Sequence, residues 1–212
     1  KMLQDTVKKF IEKEAVPVLT DIEQKNFEET KKLMRKAGEL GLIGADIAEE
    51  DGGFELGKVS AAIIAEEMAR ARSFSITFGG QTGIGALPIA YFGNKKQREK
   101  YLPKLLSGEH IAAYALTEPS AGTDALSIKT SAILSPCGKF YILNGEKQWI
   151  TNSGFADIFI VYAKVDREHF TAFIVEADCE GLSTSSEEHK MGLDGSSTRS
   201  VILENVHVPI DN

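Results

Sequence analysis

Only two cysteines, Cys137 and Cys179, occur among the 212 residues, too few for a disulfide framework or a four-thiolate zinc site. The four histidines, His110, His169, His189 and His207, never fall at helical ligand spacing, so no metal site is expected. No run approaches the ~18 apolar residues of a membrane span. No leader-type segment opens the sequence, although it begins at Lys1 rather than Met. The expected compartment is therefore reducing: cytoplasmic in a bacterium, the mitochondrial matrix in a eukaryote. An excess of positive charge is also missing. The net charge is −7, and all of it falls in residues 111–212, which hold 14 Asp or Glu against seven Lys or Arg. Such a surface repels phosphate backbones, and nucleic acid is not an expected partner. Apolar residues at 42% and charged residues at 26% are ordinary for a folded globular chain and exclude general disorder.

What is present divides near residue 110. Val7, Phe10, Ile11 and Ala15 recur at helical intervals, and Pro17 ends that run. Thr20 and Glu23 have the spacing of a capping box for a helix carrying Leu33, Ala37 and Leu40. Ala61, Ile64, Ala65 and Met68 form another stripe after Ser60, and Ile76–Phe92 reads as a helix apolar on most sides and buried. Asn94 and Gln97 look like a cap and its N3 partner for a basic helix through Leu106. After Gly108 short β-branched and aromatic runs take over: 111–116, 126–134, 139–143, 146–151, 157–164, 171–176 and 199–204. Asn144-Gly145 has the composition of a hairpin turn, with a return strand carrying Trp149. The expected fold is α+β: an all-α helical domain over 1–110, then a small antiparallel β-barrel or sandwich over 111–212.

Two segments invite a functional reading. Gly79-Gly80-Gln81-Thr82-Gly83-Ile84-Gly85 lacks the Lys-Ser/Thr of a phosphate loop and lies in a helical run, so close helix packing through small residues is the better account. Tyr114-Ala115-Leu116-Thr117-Glu118-Pro119-Ser120-Ala121-Gly122-Thr123-Asp124 leaves a strand for a turn whose amides and hydroxyls are free to meet a ligand. Within it Glu118 and Asp124 are either an acid and base pair or two turn carboxylates capping amides; the pattern alone does not choose.

That segment resembles the flavin-contact signature of the acyl-CoA dehydrogenase family, Tyr/Phe-x-x-Thr-Glu-Pro-x-x-Gly-Ser-Asp. Lys147-Gln148-Trp149-Ile150-Thr151-Asn152-Ser153-Gly154 resembles the family's Trp-Ile-Thr-Asn strand. Lys190-Met191-Gly192 with Ser197-Thr198-Arg199 resembles its later Met-Gly and Thr-Arg element. The three stand in the family's order and, with the helical-then-β arrangement, cover essentially the whole chain. Ser135–Lys139 and Ala156–Phe159 look most like the very-long-chain branch and its bacterial relatives.

The resemblance implies FAD as cofactor, with Tyr114, Leu116, Thr117, Gly122, Thr123, Trp149, Ile150 and Thr151 as contacts. A flavin is a flat apolar tricycle with a polar edge, which suits one aromatic wall and a few aimed hydrogen bonds. Trp149, the only tryptophan, is the candidate wall. Thr117 and Thr151 are candidate donors, each bond to a charged group contributing about 1.5–3 kcal/mol. Thr123 stands where the family has a Ser that touches cofactor and acyl-CoA; it keeps the hydroxyl and adds a methyl. The implied activity is oxidation of an acyl-CoA thioester to the trans-2-enoyl-CoA, with electrons passed to an electron-transfer flavoprotein. The family's base is a Glu of a C-terminal helical bundle, which also supplies oligomer contacts, so no catalytic residue is assigned here. The chain is expected to be a fragment, inactive alone, of a homo-oligomeric enzyme. A flavin oxidase or monooxygenase of the same superfamily, and a noncatalytic binding module, are the alternatives. The resemblance also places the loop Ala45–Gly53 near a substrate tunnel, where Ala48 and Asp51 replace the usual Pro and aromatic.

Overall fold

The computed structural model describes all of residues 1–212 and divides into two compact units, Lys1–Ile111 with His189–Ser196, and Ala112–Glu188 with Ser197–Asn212. Where the sequence suggests one cut near 110, the segment His189–Ser196 groups with the helices.

The helical unit comprises α1 (Met2–Phe10), α2 (Leu19–Glu23), α3 (Phe27–Glu39), α4 (Gly57–Met68), α5 (Ser73–Gly79), α6 (Leu87–Phe92) and α7 (Lys95–Leu106). Its core takes the stripes that the periodicity marks, including Val7, Phe10, Leu33, Ala37, Ile64 and Met68. The capping box at α7 forms: Gln97 N donates to Asn94 Oδ1 at 3.0 Å, and Asn94 N to Gln97 Oε1 at 2.9 Å. The expected Thr20–Glu23 box does not. α3 starts later, capped by Asn26, and Glu23 instead accepts from Ser73 N at 3.1 Å and Ser73 Oγ at 2.6 Å. Gly195 N, from the returning segment, donates to Ser73 Oγ at 3.2 Å. A carboxylate inside the unit is more useful there than at an exposed helix start, because it satisfies donors that water cannot reach.

One further expectation is corrected, and one buried charge is added. The run 76–92 is not one buried helix: α5 passes through a π-helical stretch, Gly80–Ala86, into α6, and Ile76, Ile84, Tyr91 and Phe92 stay exposed. Glu67, which has the pattern of a surface residue, is buried, accepting from Gln4 Nε2 at 2.6 Å with Lys8 and Arg70 as ion-pair partners. It lies on the face of α4 that packs on α1, where a carboxylate needs such partners.

The β unit is one sheet of β1 (Ala112–Ala115), β2 (Ser131–Leu134), β3 (Phe140–Thr151), β4 (Ile158–Val165), β5 (His169–Glu176), β6 (Leu182–Thr184) and β7 (Thr198–Pro209), in the order β1-β4-β2-β3-β7-β6 with β5 on β4. The sheet is mixed: β1 and β2 both run parallel to β4, while the remaining pairings are antiparallel as expected. Alternation sends Ala113, Ala115, Phe159, Val161, Phe173, Val175, Val201 and Leu203 into one core.

Asn144-Gly145 does not make a hairpin. β3 runs straight through it, paired with β7, and the dipeptide sits at a register shift between Leu143 and Gly145. Glycine is required there by proximity, since a Cβ would lie 2.4 Å from Thr130 Oγ1 and 2.8 Å from Thr130 Cα. Asn144 Oδ1 accepts from Asn205 N at 2.9 Å across the irregularity. The tight turns lie elsewhere, at Pro136–Lys139 between β2 and β3 and at Asp166-Arg167 between β4 and β5.

Candidate functional site

The motif segments of the β unit meet through backbone and buried side chains. Gln148 N donates to Thr117 O at 2.8 Å, so the 114–123 loop is laid against β3 one residue before Trp149. Glu118 N and Ala121 O, and Ala121 N and Glu118 O, close the turn at 3.0 and 3.1 Å.

Glu118 is buried beneath this loop. Its carboxylate accepts from Lys147 Nζ at 2.7 Å, Lys129 N at 2.6 Å and Thr130 N at 3.0 Å, and from Thr130 Oγ1. Lys147, wholly buried, also donates to Leu116 O at 3.1 Å. Burial alone would raise the Glu118 pKa, but Lys147, Thr130 and the two amides outweigh it and hold the carboxyl below its usual range. Burial lowers that of Lys147, only partly offset by Glu118. Of the two readings open in the sequence, the turn carboxylate that caps amides is the one the structure shows for Glu118. Asp124 is exposed, and its backbone carbonyl accepts from Ser127 Oγ at 2.8 Å.

Trp149 stands out from its surroundings. It has φ +58°, inside a second register shift between Lys147 and Ile150, and its side chain is 61% exposed. A left-handed conformation costs a non-glycine residue about 1–2 kcal/mol. A bulge of this kind re-aims a side chain; here it turns a large aromatic away from the core while Ile150 returns to it. An exposed indole on a strained strand, to which Gln148 N ties a loop with open backbone at Gly122, where a Cβ would meet nothing within 4 Å, fits a flat apolar ligand. Tyr114 lies on the face of β1 opposite Ala113 and Ala115 and packs on Tyr162, ring centroids 5.1 Å apart. Thr123 is exposed, Leu116, Thr117 and Thr151 half-buried. Ile150 is the exception among the sequence candidates, its side chain being 2% exposed within the core.

A second network, invisible in the sequence, supports the far end of β3. Glu187 accepts from Arg199 Nε at 2.6 Å, Ser197 Oγ at 2.8 Å and Thr198 N at 2.9 Å, and Gly154 N donates to Ser197 Oγ at 2.9 Å. Burial would raise the Glu187 pKa, but the Thr198 amide, Arg199 and Ser197 bring it below the usual range. Thr198 pairs with Thr151, so the network fixes the strand end that carries that hydroxyl. Lys147 and Glu187 were the residues that motif reading did not single out. The only signal for Lys147 was a cation at the same parity as buried Leu143; Glu187 gave none.

In the helical unit a cavity of about 210 Å³ is lined largely by apolar side chains, among them Leu42, Ile47, Ile64, Met68 and Phe78, with Gly79 and Gly83 in its wall. Neither glycine has a neighbour within 4 Å of an added Cβ. These two glycines leave open space at the cavity wall rather than packing against a neighbouring helix.

Residues 1–109 match the acyl-CoA dehydrogenase N-terminal domain and residues 113–206 the acyl-CoA dehydrogenase middle domain. The chain is 56% identical over 212 residues to a probable acyl-CoA dehydrogenase of Bacillus subtilis, covering all of this chain and 36% of that protein. It is 42% identical over 222 residues to the human very long-chain specific mitochondrial acyl-CoA dehydrogenase, covering all of this chain and 33% of that one. Among solved structures, an acyl-CoA dehydrogenase from Bacillus anthracis complexed with FAD superposes with a TM-score of 0.97 at 58% identity, over all of this chain and 36% of that one. The chain thus spans about a third of the length of these relatives.

Proposed function

The chain belongs to the acyl-CoA dehydrogenase family, and on that premise we propose that it forms the front portion of an FAD-dependent enzyme that oxidises acyl-CoA to trans-2-enoyl-CoA and passes electrons to an electron-transfer flavoprotein. The observation that carries the flavin part is Trp149, aimed outward by a strained bulge and tied through Gln148 to the Thr117 loop. When bound, FAD supplies a two-electron acceptor for the hydrogen leaving the β carbon.

The chain's own residues hold and orient. Trp149 offers an apolar wall to the ring; Thr117 and Thr151 offer hydroxyl or amide donors to its polar edge; Gly122 allows close backbone approach. Thr123, exposed at the end of the same loop, is in this reading the donor to both cofactor and thioester. The apolar cavity between α4 and α5 takes the acyl tail. Glu118 is not the base that removes the α proton. Its oxygens are engaged by four donors and its pKa is pushed the wrong way for a base working near neutrality. That group comes from the rest of the polypeptide.

Stopped-flow reoxidation of the substrate-reduced native protein tests the reading. Rapid reoxidation by electron-transfer flavoprotein and slow reaction with oxygen is expected. Fast reoxidation by oxygen alone would instead make it an oxidase or monooxygenase.

A further inference from the structure

Three consecutive residues of β3 act on the 114–123 loop in turn. Lys147 Nζ donates to Leu116 O at 3.1 Å, Gln148 N donates to Thr117 O at 2.8 Å, and Trp149 is turned outward by its bulge. The carbonyls on both sides of the Thr117 N–H are therefore pinned toward β3, one by a buried side chain and one by the strand's backbone.

A trans peptide is planar, with its C=O and N–H pointing in opposite directions. In the trans unit that joins Leu116 to Thr117 the oxygen points inward at Lys147, so the Thr117 N–H points away from the buried ammonium. That N–H donates to nothing in the protein. Thr117 is half-buried, and an amide held in a fixed direction there without a protein acceptor is a donor free for a ligand.

The residue behind this amide is a cation. Lys147 is wholly buried, and its Nζ also lies 2.7 Å from Glu118 Oε1. A hydrogen bond from an ionised donor into a carbonyl polarises the peptide, and bonds in series reinforce one another in a low-dielectric interior. The N–H at the far end of the unit becomes the stronger donor. Stability gives a weaker reason for the arrangement, because apolar residues at 118 and 147 would fill the same space without the desolvation of two charges.

We infer that Lys147 is a positioning residue for the flavin: it turns and polarises the Thr117 amide so that this donor meets the polar edge of FAD, where negative charge gathers on reduction. The inference rests on the FAD reading above and adds to it a residue that acts through another. A bias between oxidation states follows, since a stronger donor aimed at that edge holds the more negative form more tightly.

The test uses the native protein that carries this chain, loaded with FAD, and the variants Lys147→Met/Glu118→Gln and Glu118→Gln. The double variant removes the ammonium without stranding a charge, and the single one leaves Lys147 on Leu116 O. Reductive titration against a reference dye gives the midpoint potential, and visible absorbance gives the flavin spectrum. In the double variant reduced FAD should lose about tenfold more affinity than oxidised FAD, which for a two-electron couple lowers the potential by about 30 mV. In Glu118→Gln the potential should not fall, because a negative charge leaves and the ammonium stays. A double variant with the parent's potential and spectrum would overturn the inference. So would an equal fall in both variants, which reports a disturbed loop. Hydrogen exchange of the Thr117 amide needs no variant: in the parent it should slow at least ~10-fold when FAD binds, and an unchanged rate would also overturn the inference. The FAD reading is judged separately; if the parent takes up FAD and its potential ignores Lys147, only the positioning role fails.

Discussion

Lys147 Nζ lies 2.7 Å from Glu118 Oε1 with both side chains out of solvent, joining the loop and the strand that carry the two flavin-type motifs. Removing one partner strands the other's charge in the interior. Lys147→Met is expected to cost about 3–5 kcal/mol in urea unfolding. Adding Glu118→Gln should recover part of that, because the unpaired charge disappears while the Lys129 and Thr130 amides keep an acceptor. Strictly additive losses would show that the two residues are not coupled.

The same carboxylates set an acid limit. Glu118 and Glu187 both have folded-state pKa values below the 4.5 of a free glutamate. Their contribution is therefore fully present above 4.5 and is lost as pH falls through the lower folded values. Stability measured by chemical denaturation should drop steeply below about pH 4.5, and less steeply in Glu118→Gln and Glu187→Gln. An unchanged slope in both variants would contradict this.

Gly154 has no room for a side chain. A Cβ there would lie 2.5 Å from Ser197 Oγ, 2.6 Å from Glu187 Oε1 and 2.7 Å from Arg199 Nε. Gly154→Ala should destabilise by about 1–3 kcal/mol and lower FAD affinity by loosening the strand end at Thr151. A melting temperature within error of the parent would show that the network gives way freely.

If the helical cavity takes the acyl tail as proposed, its glycines govern tail length. Gly83→Leu places a side chain in open space beside Phe78 and Met68. Each methylene excluded from apolar burial forfeits ~0.8 kcal/mol, so kcat/KM should fall about 10-fold or more for acyl chains that fill the cavity and little for short ones. A uniform loss across chain lengths would remove the cavity from the tail site.

Much of this was legible from pattern. Helical stripes such as Val7, Phe10 and Ile64, the Asn94–Gln97 box and the change to strands after 108 are local signals, and they hold. What misled were local signals overridden by distant partners. Asn144-Gly145 has turn chemistry, but strand β7 pairs along both sides of it and Thr130 needs the space. Thr20 and Glu23 have box spacing, but Ser73, fifty residues away, takes the carboxylate. The motifs named the loop and the strand that the structure joins at Thr117 and Gln148. They could not show that Trp149 is turned outward by a bulge, or that Lys147 lies beneath the loop, because both depend on registry between segments far apart in sequence.

The account turns on Trp149 as the wall of a flavin site. FAD titration of the native protein and its Trp149→Gly variant, followed by visible absorbance and paired with thermal unfolding of the FAD-free forms, tests it directly. Glycine accepts φ +58° without strain, so the FAD-free variant should be at least as stable as the parent, yet bind FAD at least ~10-fold more weakly and with a shifted flavin spectrum. Equal FAD affinity and an identical spectrum would contradict the account.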